Sequence, residues 1–322
     1  MSNEKGFITV ATGKYYCGLA ENLAMSYRLF SGTEYPLYAI TDRKGAKRLK
    51  KVFDGVVVLD EPHFTFLDKM EIARYTPFEQ TVFIDADSVI VDDISFLMDD
   101  FEQNGSALSC IGSLIDIDDD HRPIHFDNRA VEHFCPDRYV AFNGGVYYFR
   151  KCAELTRCID FIFDDLIPHY KDYGLKEFRQ GQMADEPLYG LAMVLRSFRP
   201  LDYDKDVMKL LQDIKTLSWD MKKKECRFIW YGQEVSPVIL HYGTHNTYTT
   251  KYVSDTVTVR CLYRRIPAIF KPFILACSEI RLLFRHLGRK NDRKAFASWF
   301  MAHFTAAYVK RQFGRIKALF KR

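Results

Sequence analysis

Proline is scarce, at 11 in 322 residues, and no low-complexity linker or internal repeat interrupts the chain. With 48% hydrophobic and 15% aromatic residues, a collagen-like or wholly disordered polymer is excluded. No apolar run reaches the ~18–20 residues that a transmembrane helix requires. The start, MSNEKGFITVAT, lacks a basic segment leading into a long apolar core, so no secretory signal is expected. The eight cysteines show neither Cys-x-x-Cys nor regular spacing. That argues against a zinc site or a disulfide framework and fits a reducing cytoplasm.

What is present is enough chain for one large α/β domain with an appendage, or for two ordinary domains. The net charge of +4 hides an asymmetry. Residues 256–322 carry sixteen Lys and Arg against only Glu279 and Asp292, a balance of +14, while residues 1–255 carry 30 basic and 40 acidic residues. An acidic body with a basic tail suggests two jobs, since concentrated charge of one sign calls for an opposite partner. The division expected from this is 1–255 and 256–322.

Short apolar runs alternate with helical patterns over the first hundred residues. Phe7–Ala11, Leu37–Ile40, Val56–Leu59 and Thr81–Ile84 read as strands; Leu19–Leu29, Ala46–Val52 and Lys69–Tyr75 read as helices. Such alternation predicts a mostly parallel sheet with helices on both faces, and ligands bind beyond the carboxyl ends of its strands. Residues 102–140 include the polar stretch IDIDDDHRPIHFDNR and read as a surface excursion. Strand character returns at Val140–Arg150; Leu155–Leu166 and Pro187–Leu195 read as helices and Val238–His241 as a strand. From residue 255 onward the pattern is helical and basic.

The strongest local signal is Thr81-Val-Phe-Ile-Asp85-Ala-Asp87-Ser-Val-Ile-Val. In an extended backbone, residues two apart share a side, so Asp85 and Asp87 can converge. Paired hard oxygen donors suit Mg²⁺ or Mn²⁺, which then bridges to phosphate. The plain alternative is one capping carboxylate and one solvated one. Val140-Ala-Phe-Asn143-Gly144-Gly145-Val146 sets two glycines in a strand pattern, for a φ > 0 turn or for close approach of a ligand. Gln182-Met-Ala-Asp185-Glu186-Pro187 places acids at a helix start, where they also suit the helix dipole. His241 stands at a strand end, a place where histidine commonly serves the core.

Taken in order, these pieces resemble the glycogenin-like glycosyltransferases of family 8, with a GT-A fold, over about residues 6–250. The family includes lipopolysaccharide sugar transferases. Val10-Ala-Thr12-Gly-Lys-Tyr-Tyr16 resembles the opening nucleotide loop, which implies that Thr12 meets the base or ribose and that Tyr16 stacks on the base. Leu67-Asp-Lys69-Met resembles the family's L-T-K-L and implies that Lys69 stabilises phosphate charge. Asp85-Ala-Asp87 matches the metal-binding D-x-D, with His241 as third ligand. Asn143, Gly144 and Gly145 fall beside the donor sugar, as do Asp185 and Glu186; Asp185 is the choice for the sugar's reacting face. The chain departs from the pattern at Gly144, where the family carries serine, and at Glu186, where it carries glutamine. The family's H-F-x-G-x-x-K shortens to His241-Tyr-Gly243, with Gly243 kept at the donor and His245 or Lys251 left to supply the lysine's role.

The resemblance implies transfer of a sugar, with retention, from a nucleotide diphosphate donor (UDP-sugar foremost) to a glycan or lipid-linked acceptor, helped by Mn²⁺ or Mg²⁺. Two other readings stand beside it. Val-Phe-Ile-Asp85-Ala-Asp87 also resembles the first motif of haloacid-dehalogenase-like phosphatases, with Asp85 as nucleophile. A degenerate binding protein without turnover would keep the same fold. In the tail, 262–287 and Phe296–Phe320 set apolar residues and cations at helical intervals, as in a helix lying on an anionic membrane surface; packing on protein is the alternative. This gives a cytoplasmic protein placed peripherally on the inner membrane face. No nucleic-acid motif accompanies the charge.

Overall fold

In the computed structural model, residues 4–117, 127–175, 177–179, 182–203 and 206–287 are described. The second basic run, Phe296–Phe320, lies outside them, as does most of the polar stretch after Asp116. The chain divides into two compact units, Met1–Gly243 and Thr244–Arg322.

The first unit opens with β1 (Lys5–Val10), α1 (Gly13–Phe30), β2 (Leu37–Thr41), α2 (Arg43–Leu49) and β3 (Gly55–Val58). Two short helices, α3 (Leu67–Met70) and α4 (Ile72–Tyr75), lead into β4 (Gln80–Ile84) and β5 (Ser88–Ile90). Then come α5 (Phe96–Asn104), β6 (Leu108–Asp116), α6 (Asn128–Phe134), the long β7 (Arg138–Arg150) and α7 (Ala153–Phe161), which runs on as a π-helical turn. After the small pair β8 (Glu177–Arg179) and β9 (Gln182–Met183) come α8 (Asp185–Leu195) and β10 (Met208–Leu210). The antiparallel trio β11 (Ser218–Asp220), β12 (Glu225–Trp230) and β13 (Gln233–Val235) precedes β14 (Ile239–His241).

The central sheet runs β3-β2-β1-β4-β7-β6. Strands β3, β2, β1 and β4 are parallel, and β7 and β6 complete the sheet antiparallel. Thr81, Val82, Phe83 and Ile84 are buried in succession, which requires cover on both faces of β4 and explains its unbroken apolar run. Phe83 stacks on Tyr147 of β7, and Phe101 of α5 stacks on Tyr148, so both faces of β7 are packed by aromatics.

Two features differ from the sequence-based expectation. Leu108–Asp116 is not a surface excursion but a sheet strand whose first three residues are buried. Its outer half faces solvent in part and runs into the polar stretch, and this masked its pattern. Nor is Asn143-Gly144-Gly145 a turn: it lies inside the continuous strand β7, and neither glycine has positive φ. Opposite it the β6 register slips between Cys110 and Gly112, a bulge just where β4 ends.

The last residue of the first unit opens α9 (Gly243–Asn246), and the described part of the second unit goes on with α10 (Thr250–Tyr263) and α11 (Lys271–Leu287). Among the described residues no helix is long and apolar enough to cross a membrane.

Candidate active site

Asp85 and Asp87 sit at the carboxyl end of β4, but an extended backbone is not what brings them together. The chain turns between β4 and β5: Ser88 N donates to Asp85 O at 3.0 Å, and Ala86 N donates to the Asp85 carboxylate at 2.9 Å. Strand β5 then pairs antiparallel with β14, setting Ser88 opposite His241. Tyr242 N donates to Asp87 O at 3.1 Å and closes the corner. One ligand atom from each of Asp85, Asp87 and His241 falls within 4.8 Å of the others.

The cluster gathers two carboxylates and an imidazole in a small, mostly buried space. Asp87 is 5% exposed, and its Oδ1 is buried. His241 Nε2 comes to 2.9 Å from that oxygen; burial disfavours the charged ring, but Asp87 and then Asp85 outweigh this and hold the His241 pKa above its ordinary value. The same nitrogen is 3.9 Å from Asp85 Oδ2. Burial pushes the Asp85 pKa up, and its neighbour Asp87 adds to this. Burial works the same way on Asp87, but His241 outweighs it and brings that carboxyl below its usual range. Two carboxylates and an imidazole nitrogen converging in so small a space form a donor set that fits a divalent cation, and the mixed nitrogen and oxygen donors suit Mn²⁺ better than Mg²⁺.

Lys69, from α3, is buried beside the cluster. Its Nζ donates to Asp185 Oδ2 at 2.7 Å, Asp85 Oδ2 at 3.0 Å and Gly144 O at 3.1 Å. Those three acceptors match the three donors of an ammonium group. Burial disfavours its charge, but Asp185 and Asp85 outweigh that and hold the Lys69 pKa above its ordinary value. Asp185, at the start of α8, is 4% exposed, and its Oδ2 also accepts from Tyr147 Oη at 2.8 Å.

Glu186 Oε1 accepts from Gly144 N at 2.7 Å and from Asn143 Nδ2 at 3.4 Å. Burial, then the neighbouring Asp185, raise its pKa to about 7, against the Gly144 N–H. An acid whose folded pKa lies above its unfolded value binds more protons when folded. Stability therefore falls as pH rises from about 4.5 to about 7, and the penalty persists above that window. Glu186→Gln is expected to flatten the melting temperature against pH in metal-free buffer. It should raise Tm by several degrees at pH 8 and leave it near wild type at pH 4. A variant with the wild-type slope would contradict the assignment.

The glycines also have a local explanation. A Cβ on Gly144 would lie 2.8 Å from Asp185 Oδ2 and 2.9 Å from Tyr147 Oη. One on Gly145 would lie 2.9 Å from His241 Nδ1. Both positions are empty so that site side chains can occupy the space.

The loop after β1 is braced rather than open. Thr12 Oγ1 donates to Asp68 Oδ2 at 2.6 Å, and Gly13, at φ 78°, donates its N–H to Asp42 Oδ2 at 2.7 Å. Asp42 also caps α2 through Lys44 N and Gly45 N. Burial raises its pKa less than these N–H groups lower it, so the carboxyl is held below its usual range. Tyr16 is half-exposed with its ring edge-on to Tyr15. Gly243 has φ 66°, a left-handed position that favours glycine at the chain's exit from β14. Lys251, in the second unit, is held by Asp255 at 2.7 Å.

Reasoning from sequence did not find Tyr147, Asp68 or Asp42. Tyr147 sits in an apolar strand pattern that assigns it to the core, and nothing in that pattern shows its hydroxyl meeting Asp185.

No protein-family model and no curated protein matches the chain. Solved structures do. The apo structure of WbbM, a bifunctional glycosyltransferase, superimposes over 85% of this chain and 51% of its own, with a TM-score of 0.50 at 13% identity. Apo mouse xyloside xylosyltransferase 1 gives a TM-score of 0.47 over 76% of this chain and 99% of its own, at 11% identity. The glycosyltransferase GlyE of Streptococcus pneumoniae TIGR4 gives 0.41 over 62% and 45%, at 12% identity. This chain spans about half the length of WbbM. The fold is that of a GT-A glycosyltransferase. At this identity the likeness is one of fold alone, and the family 8 resemblance rests on the motifs. A phosphatase reading of Asp85 is left without its scaffold.

Proposed function

We propose that this chain is a metal-dependent glycosyltransferase that moves a sugar, with retention, from a UDP-sugar to a hydroxyl of a glycan or lipid-linked acceptor. The observation that carries this is the Asp85, Asp87 and His241 cluster at the carboxyl end of β4 in a GT-A sheet. Ligands in open α/β sheets bind at that edge.

Asp85, Asp87 and His241 would hold Mn²⁺, or Mg²⁺. Bound there, the cation supplies Lewis-acid neutralisation of the charge that develops on the departing diphosphate. Lys69 holds Asp85 in place and adds a fixed positive charge that costs no reorganisation during reaction. Asp185 anchors Lys69 and stands at the reacting face of the sugar. Glu186, Asn143, Gly144 and Gly145 form the floor beside the sugar. Thr12 and Tyr16 lie on the nucleoside side, with Gly243 at the diphosphate.

The test is thermal unfolding with UDP and Mn²⁺, separately and together. The pair is expected to stabilise by about 2.7 kcal/mol at a hundredfold excess over Kd, and neither component alone should do as much. No shift with the pair sinks the proposal.

The proposal extends to the second unit as a cytoplasmic, peripheral membrane-binding element. Ile269, Phe270, Phe273 and Ile280 are exposed, and Phe273 is 71% so. Arg264, Arg265 and Arg281 are exposed near them in the chain, with Lys271 half-buried. Exposed aromatics interleaved with cations suit the boundary between anionic headgroups and acyl chains. The double variant Phe270→Asp with Phe273→Asp is expected to lose flotation with phosphatidylglycerol vesicles. Unchanged flotation would remove the membrane role.

A further inference from the structure

The ring of His241 meets an oxygen at each nitrogen. Nδ1 lies 2.6 Å from Asn143 Oδ1, and Nε2 lies 2.9 Å from Asp87 Oδ1. The Asn143 amide is oriented by its other end, where Nδ2 donates to Glu186 Oε1 at 3.4 Å. That leaves the amide oxygen against the ring, and an amide oxygen only accepts. The proton of this contact therefore belongs to Nδ1. With Nδ1 keeping its proton, Nε2, the nitrogen that faces the two carboxylates, is the one whose lone pair a cation would take, displacing any proton held there.

We infer that Asn143 is a positioning residue for the metal site: its amide oxygen holds the His241 proton on Nδ1 and aims the Nε2 lone pair between Asp85 and Asp87. The inference rests on the metal reading proposed above. Two further observations support it. The His241 backbone is fixed by β10 and β5, but that pairing does not set the ring. Gly145 leaves the space that the contact needs, since a Cβ there would stand 2.9 Å from Nδ1 and 3.1 Å from Met208 Cε. The Asn-Gly-Gly segment thus acts as a socket for the histidine, with asparagine as its polar wall and glycine as its clearance. Partners of this kind in known metal sites change affinity by about 10- to 100-fold when removed.

The experiment measures Mn²⁺ affinity from free-ion electron paramagnetic resonance, without substrate. Asn143→Leu is expected to weaken binding by about 10- to 100-fold. Asn143→Asp keeps an oxygen toward Nδ1 and loses the donor toward Glu186, so it should bind at least nearly as well as wild type. In a His241→Ala background, Asn143→Leu should change nothing further. Wild-type affinity in Asn143→Leu overturns the inference, as does equal loss in the Leu and Asp variants or a loss that persists without His241. Wild-type protein that binds no Mn²⁺ instead removes the metal reading beneath it. Independently of any variant, a long-range ¹H–¹⁵N spectrum of histidine-labelled wild type, taken where the ring is neutral, should show the proton on Nδ1; a proton on Nε2 refutes the assignment.

Discussion

Asp87→Ala is expected to lower Mn²⁺-dependent hydrolysis of UDP-sugars about 1,000-fold while the protein stays folded. Metal-ion stabilisation of a leaving group is worth several kcal/mol, and about 4 kcal/mol corresponds to that factor. Folding is expected to survive at some cost in Tm, because the carboxylate's pairing with His241, which holds its pKa below the usual range, is lost with it. Relief of the repulsion between Asp87 and the neighbouring Asp85 offsets part of that loss. The contact that holds the local fold, Tyr242 N to Asp87 O, belongs to the backbone and remains in alanine. A donor panel with steady-state rates, run beside thermal melts, checks both halves. Turnover within threefold of wild type would show that no catalytic cation is held there. A collapse of Tm would show instead that the carboxylate is a structural element.

Much of the scaffold could be read before the structure was seen, for a physical reason. β4 is buried on both faces, so its apolar run is unbroken; β1 and β2 are nearly as fully buried. β6 escaped because it sits at the edge of the sheet, its outer half is only partly covered, and it merges with a charged stretch. Asp85, Asp87 and His241 can be named from a motif and a strand end, but the extended backbone that their spacing predicts is not what brings them together. A turn and the β5–β14 pairing bring them together, and no local pattern encodes a pairing between such distant segments. The same holds for Lys69 with Asp185 and for His241 with Asn143: each residue could be named singly, but the partnership could not. The sequence pattern reads the two glycines as a φ > 0 turn or as room for a ligand, whereas the structure uses their missing Cβ to seat Asp185, Tyr147 and His241.

Lys69→Met is expected to be the most destabilising substitution in the site, with the loss partly recovered by Mn²⁺. The ammonium group is buried and lies within 3.0 Å of both Asp85 Oδ2 and Asp185 Oδ2. Removing it leaves one buried and one partly buried carboxylate without their cation. Breaking a buried pair from one side costs about 3–5 kcal/mol. For a domain of this size, that is a fall in Tm of about 10 °C. Asp85 bridges Lys69 and the metal cluster, so a bound divalent ion would replace part of the missing charge. Mn²⁺ should therefore raise the Tm of the methionine variant by more than it raises that of wild type. Adding Asp185→Asn to Lys69→Met removes one of the stranded charges, and the double variant should be more stable than Lys69→Met alone. Were Lys69→Met as stable as wild type in metal-free buffer, the buried lysine would not be the counter-charge of Asp85 and Asp185, and its closeness to the carboxylates would need another explanation. Were it unstable but indifferent to Mn²⁺, the lysine would hold the fold without sharing Asp85 with a cation.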